Sequence, residues 1–168
     1  TRIEPTRYEY KKTGGNEKNC RIEFNWNSAT ANVTGTYGET TQSLAAGGVD
    51  RLVVQLAVMR DLKTKKLPLS YRILDKLKIK NYTFIQTGTE TLNTPYGDVE
   101  TIIIKRANEG GGRVTKMWMA PRLHHIPLRI RQDKDGSREF EMNLEQLSGI
   151  TIPKKPKATT STIPEDVI

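Results

Sequence analysis

Cysteine, histidine and long apolar runs are all scarce in this sequence, and each shortage removes a class of protein. Cys20 is the only cysteine among 168 residues, so no internal disulfide can form and a disulfide-stapled secreted scaffold is disfavoured. The two histidines, His124 and His125, are adjacent and have no cysteine near them. Neighbouring side chains on an extended segment point opposite ways, so they read as exposed connection residues rather than metal ligands. No apolar stretch approaches the roughly eighteen residues that a membrane-spanning helix needs. A Gly-x-Ser-x-Gly elbow, a phosphate-binding loop, a dinucleotide fingerprint and a His-Glu-x-x-His helix are absent as well. Gly110–Gly112 lacks the Lys-Ser/Thr that would make it a phosphate cradle and reads as a hairpin loop. Cys20 opens a strand and reads as a buried or edge thiol. No catalytic constellation, metal site or cofactor site emerges, and a non-enzymatic protein is expected.

What the chain does have is positive charge and period-two patterning. Lys and Arg number 27 against 19 Asp and Glu, a net charge of +8. The basic residues are interleaved with acids, as in "RYEYKK" and "RIRQDKDGSREFE", which weakens a nucleic-acid reading. The densest runs are Lys63–Lys66, at the end of a predicted helix, and Lys154–Lys157, in the tail. Basic side chains there complement the helix dipole without any ligand. Mean hydropathy of −0.61 is low for a helix-packed enzyme and acceptable for an antiparallel sheet with one wet face.

Alternation predicts strands over Arg7–Lys12, Cys20–Trp26, Ala31–Tyr37, Tyr82–Gln86, Val99–Arg106 and "VTKMWM", with Thr94–Gly97 and Asn108–Gly112 as turns. Ile22, Phe24 and Trp26 face inward. One segment breaks the period. Asp50 to about Lys65 spaces Leu52, Leu56 and Met59 at helical intervals, with Asp50 as cap and Pro68 as the stop beyond. Those three residues are expected to pack on the sheet. The last hairpin is registered by assuming a three-residue loop, Lys134–Gly136, which pairs Arg131 with Glu139, Arg129 with Glu141, Ile130 with Phe140 and Leu128 with Met142. The whole reads as α+β, mainly β: one domain over residues 1–152, with 153–168 a flexible Pro/Lys/Thr tail. The chain begins with Thr rather than Met, and so reads as a processed or truncated product, removal of an export signal being one of the two readings.

The segment "WMAPRLHHIPLRIRQDKDG" resembles the Trp-x-Ala-Pro … Pro-x-Arg-Ile stretch of a family of exported bacterial proteins of unknown function. "PTRYEYKKTGG", "VDRLVVQLAVMRDL", "LSYRILDKLKIKNYTF" and "LNTPYGDVETIIIKR" extend the likeness over about Glu4 to Gly149. The resemblance implies a periplasmic protein with the fold of the lipoprotein carriers, a half-open antiparallel barrel with a helix on its concave side. Two departures stand out. The family's further N-terminal strands are missing, and His124–His125 replace a glycine-aromatic pair.

Two functions follow as expectations. The first is a lipid or other apolar ligand held in a groove lined by Tyr8, Tyr10, Phe24, Trp26, Phe84, Ile102, Ile104 and Trp118, with Ile22, Tyr82, Met117 and Met119 as further candidates. A groove beside Phe24, Phe84 and Ile104 is expected, because one helix is narrower than so many strands. The same residues would equally serve as the core under that helix. The second is a basic surface, carried by Lys63–Lys66, Lys76–Lys80 and the tail, that meets nucleic acid or an anionic membrane.

Overall fold

The computed structural model describes residues 3–44, 48–107, 110 and 112–149. The 153–168 tail and most of the Asn108–Gly112 loop lie outside the described residues. Among the described residues eleven strands form two separate sheets that do not close into a barrel, and one α-helix accompanies them. The α+β, mainly β reading holds.

The smaller sheet runs in chain order: β1 (Arg7–Lys12), β2 (Lys18–Asn25), β3 (Thr30–Gly35) and β4 (Thr40–Ser43). The predicted alternation is present, since Cys20, Ile22 and Phe24 are buried while Arg21, Glu23 and Asn25 are exposed. The larger sheet has the order β11-β10-β9-β8-β7-β6-β5. Its strands are β5 (Val49–Asp50), β6 (Leu69–Asp75), β7 (Lys78–Thr94), β8 (Gly97–Ala107), β9 (Arg113–Ala120), β10 (Ile126–Lys134) and β11 (Ser137–Asn143). All its pairs are antiparallel except β5 with β6. A parallel pair needs a crossover, and α1 (Val53–Asp61) supplies it, which lays the helix on one face of the sheet.

Asp50 caps the helix as expected: its Oδ1 accepts from the backbone N–H of Leu52 at 2.8 Å and of Val53 at 2.9 Å. The inward face, however, is not the predicted one. Val54, Ala57, Val58 and Asp61 are buried, whereas Leu52 and Leu56 are 64% and 53% exposed. The helix carries two apolar stripes, and Asp61 decides between them. Its carboxylate accepts a hydrogen bond from the Tyr71 hydroxyl of β6 at 3.1 Å, which turns that side to the sheet. Small Val and Ala then let the helix approach closely. Met59 packs only at the margin of the cluster.

Three apolar clusters result. Val54 and Val58 sit on Ile73, Phe84, Ile104, Met117 and Met119. The small sheet packs Ile22, Phe24 and Val33 against Leu74, on the other face of β6. Trp118, Leu92, Val99 and Leu128 form the third, covered by Leu123 and Leu147.

The last hairpin differs from expectation by two residues. Arg131 faces Glu141, Ile130 faces Met142 and Arg129 faces Asn143. Asp135 (φ 50°) and Gly136 (φ 81°) form a two-residue turn of the kind that favours Asp-Gly, and a bulge at Gln132/Asp133 takes up the extra residue. A shift of two keeps every side chain on its predicted face. The histidines are corrected too. Pro121–Leu123 is a 3-10 turn, and His124 and His125 both adopt left-handed φ of 55° and 59° rather than an extended course. His125 is half-buried, and its N–H donates to the Ala120 carbonyl at 2.9 Å.

Candidate functional site

The helix-bearing face of the large sheet is not apolar throughout. Residues two apart on a strand share a face. On β8, Ile102 and Ile104 are followed by Arg106; on β9, Met119 and Met117 by Thr115 and Arg113; on β10, Ile130 by Gln132; on β7, Phe84 is preceded by Tyr82 and Lys80. Each strand therefore passes from apolar to polar towards the same end. The boundary is oblique, because Ile73 pairs with Lys80 and Phe84 with Arg106. Helix α1 is only nine residues long, about 14 Å, and covers the apolar part.

The uncovered part is an open cavity of about 800 Å³, lined among others by Arg51, Lys76, Lys80, Tyr82, Arg106 and Arg113. Asp75 is the carboxylate in its wall. It is buried, with Lys80 Nζ 2.6 Å from Oδ2 and Arg51 Nη1 3.6 Å from Oδ1. Both cations stay about half exposed, at 50% and 52% of their side chains, so their charge reaches the cavity. Arg106 lies 4.2 Å over the Tyr82 ring, and Arg113 pairs with Glu139 at 3.1 Å. Such contacts fix a guanidinium in place before any anion arrives.

A second opening of about 200 Å³ shares Arg51, Asp75 and Lys76 with the first and adds Tyr8, Tyr10, Lys12, Lys18, Cys20 and Tyr37. Lys76 occupies the β6–β7 turn with φ 58°, a conformation better suited to Gly or Asn, and its ammonium lies 4.2 Å over the Tyr37 ring. Lys12 and Lys18 pair directly across β1 and β2, which is unfavourable for like charges. Burial, with Asp75 nearby, pushes the Cys20 thiol up, so it is a poor nucleophile. The two histidines are in the β9–β10 turn of the other sheet, and a Cys–His dyad finds no support. His125 is pushed down by burial and by Lys63.

The predicted lining is dispersed. Tyr8 and Tyr10 do line the smaller opening. Phe24 and Trp26 stack at 5.9 Å within the small sheet. Phe84 and Ile104 lie under α1, and Ile102 borders that cluster. Trp118 is on the opposite face, its Nε1 donating to Glu90 at 2.6 Å. Phe24, Phe84 and Ile104 are 9%, 3% and 0% exposed, so the expected groove beside them has no surface to offer. Of the basic runs, Lys76–Lys80 reaches the cavity, whereas Lys65 is held by Asp61 at 3.0 Å. Arg51, Arg106 and Arg113 were not anticipated. The signal that finds Arg106 and Arg113 is a cation further along the two-residue period of an apolar strand face; Arg51, in the turn between β5 and α1, carries no such signal.

The sequence profile of DUF3108, a family of proteins of unknown function, matches residues 1–143. The chain belongs to this family. The match ends with the last residue of β11 and so takes in both sheets, the helix and the cavity. No curated protein and no solved structure matches this DUF3108 domain. Among the described residues no helix is long and apolar enough to cross a membrane, and no group of His, Cys, Asp or Glu is arranged to hold a metal ion.

Proposed function

We propose that this DUF3108 domain is a non-enzymatic, periplasmic binding protein that holds an anionic ligand in the cleft at the uncovered end of the large sheet. One observation carries the reading: Arg51, Lys76, Lys80, Arg106 and Arg113 surround about 800 Å³, with Asp75 as the carboxylate in the wall. Ligand pockets of this volume are usually apolar, so a cationic one selects charge. Export and a lipoprotein-carrier-like role rest on the family resemblance, and a sheet only partly covered by its helix suits a carrier. The apolar-ligand version is the weaker one, since most of the residues it needs are packed into cores.

The anion could be the headgroup of a lipid or a free polyanion. Titration with tripolyphosphate, and sedimentation with phosphatidylglycerol or phosphatidylcholine vesicles, separates them. Tripolyphosphate binding that weakens steeply with salt and is lost in the double variant Arg106→Glu/Arg113→Glu is the expected result. Binding to phosphatidylglycerol vesicles without tripolyphosphate binding would assign the site to a lipid headgroup. Binding of a neutral apolar fluorophore, insensitive to salt and to both substitutions, would overturn the reading.

A further inference from the structure

We infer, building on that reading, that the ligand is an elongated anion carrying several phosphate or carboxylate groups, and that it spans both openings. The two cavities adjoin, because Arg51, Asp75 and Lys76 line each of them. In the larger one, Asp75, Lys80, Arg106, Arg113 and Gln132 come from five consecutive neighbours, β6 to β10. Four strand spacings of about 4.8 Å make that shelf roughly 19 Å wide. The smaller cavity extends it onto the other sheet, to Lys12 and Lys18. A single phosphate or carboxylate would touch only a fraction of this length.

The charge distribution points the same way. Asp75 sits in the middle and partly neutralises Arg51 and Lys80. Further cations line the two ends, Lys12 and Lys18 on one side and Arg106 on the other. A compact anion would meet the neutralised centre, whereas a long one bridges the ends. Two unfavourable features line the smaller cavity: the left-handed Lys76 at the junction and, further out, the like-charged Lys12–Lys18 pair. Each carries an energetic penalty that a ligand contact would offset. Tyr37 and Tyr82 do not act as free stacking platforms. Tyr37 has Lys76 at 4.2 Å and Lys18 at 5.9 Å over it, and Tyr82 has Arg106 at 4.2 Å. At these two rings recognition rests on the anionic groups rather than on stacked bases.

The test compares orthophosphate, tripolyphosphate and long-chain linear polyphosphate on the full chain by calorimetry at fixed ionic strength. Affinity per chain should rise about tenfold or more from tripolyphosphate to the long chain, as the second opening is engaged. Lys12→Glu/Lys18→Glu should remove that gain and leave tripolyphosphate binding unchanged; both residues sit at strand ends, and circular dichroism checks the fold. If tripolyphosphate binds but Lys12→Glu/Lys18→Glu leaves long-chain affinity intact, the extended site is refuted while the cleft stands. If no anion binds, the cleft reading falls as well. Oligothymidylate binding tighter than polyphosphate of equal charge would mean that bases are read, and would also overturn the inference.

Discussion

On one face of the large sheet, the apolar region under α1 and the cationic region beyond it are built from the same strands. β8 contributes Ile104 to the first and Arg106 to the second; β7 contributes Phe84 and Lys80. The difference lies in what covers them. Under the helix, every large side chain removed from water contributes on the order of 1.5–3 kcal/mol, so the composition there is dictated by folding. Past the helix end the large apolar side chains stop, and folding alone would accept many polar residues. That five of the eleven described residues lining this part are cations and one is a carboxylate is therefore informative, whereas apolar residues under the helix are what any such sheet requires.

The strongest way to break this comparison is to cut into both regions. Phe84→Ala should cost about 3–5 kcal/mol, as a large core side chain 3% exposed. Arg106→Ala should cost under about 1 kcal/mol, the scale of its stacking on Tyr82, while weakening anion binding. Urea denaturation measures both. Equal losses would mean that the open region is core after all.

A second test probes the seam where the helix is pinned. Burial alone would raise the Asp61 pKa, but hydrogen bonds from Arg60, Lys65 and Tyr71 outweigh it and hold the carboxyl at about 2, against an ordinary 3.8. A carboxyl depressed on folding stabilises above its unfolded pKa, and that contribution fades as pH falls from about 4 through about 2. The amount is about 2 kcal/mol. Asp61→Asn should remove it at neutral pH and flatten the acid limb of the stability profile between those values. An unchanged acid limb would show that Asp61 does not pin the helix.

Much of this arrangement was legible in the sequence, and the misses have physical causes. Strict alternation located β1 to the residue and placed Ile22 and Phe24 inward, since period two leaves no choice of face once one face is apolar. "TPYG" set the β7–β8 turn at Pro95–Tyr96. β4, with the sequence TTQS, and the two-residue β5 carry too little pattern to be seen, and β6 ends in three buried residues, Ile73, Leu74 and Asp75, so its alternation is lost. The expectation that one helix cannot cover the sheet was sound; the chemistry of the uncovered part was not, because width says nothing about polarity. That chemistry was written in Arg106, one step past the apolar period of β8, and in Arg113, two steps past that of β9. The loop of the last hairpin was misjudged by one residue, since Asp-Gly serves two-residue and three-residue turns alike.

The smallest expected effect concerns the helix itself. Its helical spacing fits both Leu52/Leu56/Met59 and Val54/Ala57/Val58/Asp61, and leucine is the more hydrophobic side chain, so hydrophobicity alone selects the wrong stripe. The structure buries the second because Asp61 is tied to Tyr71 and because Val and Ala let the helix sit low on Ile73 and Phe84. Leu56, 53% exposed, then contributes little beyond helix propensity, where Leu and Ala differ by a few tenths of a kcal/mol. Leu56→Ala should accordingly shift stability by no more than about 0.5 kcal/mol. Val58→Ala, on the buried stripe at 0% exposure, should cost clearly more, because it opens a space between helix and sheet. If Leu56→Ala instead costs the 2–5 kcal/mol typical of a buried leucine, the helix is turned the other way, Asp61 faces solvent, and the apolar and cationic regions no longer divide where α1 ends.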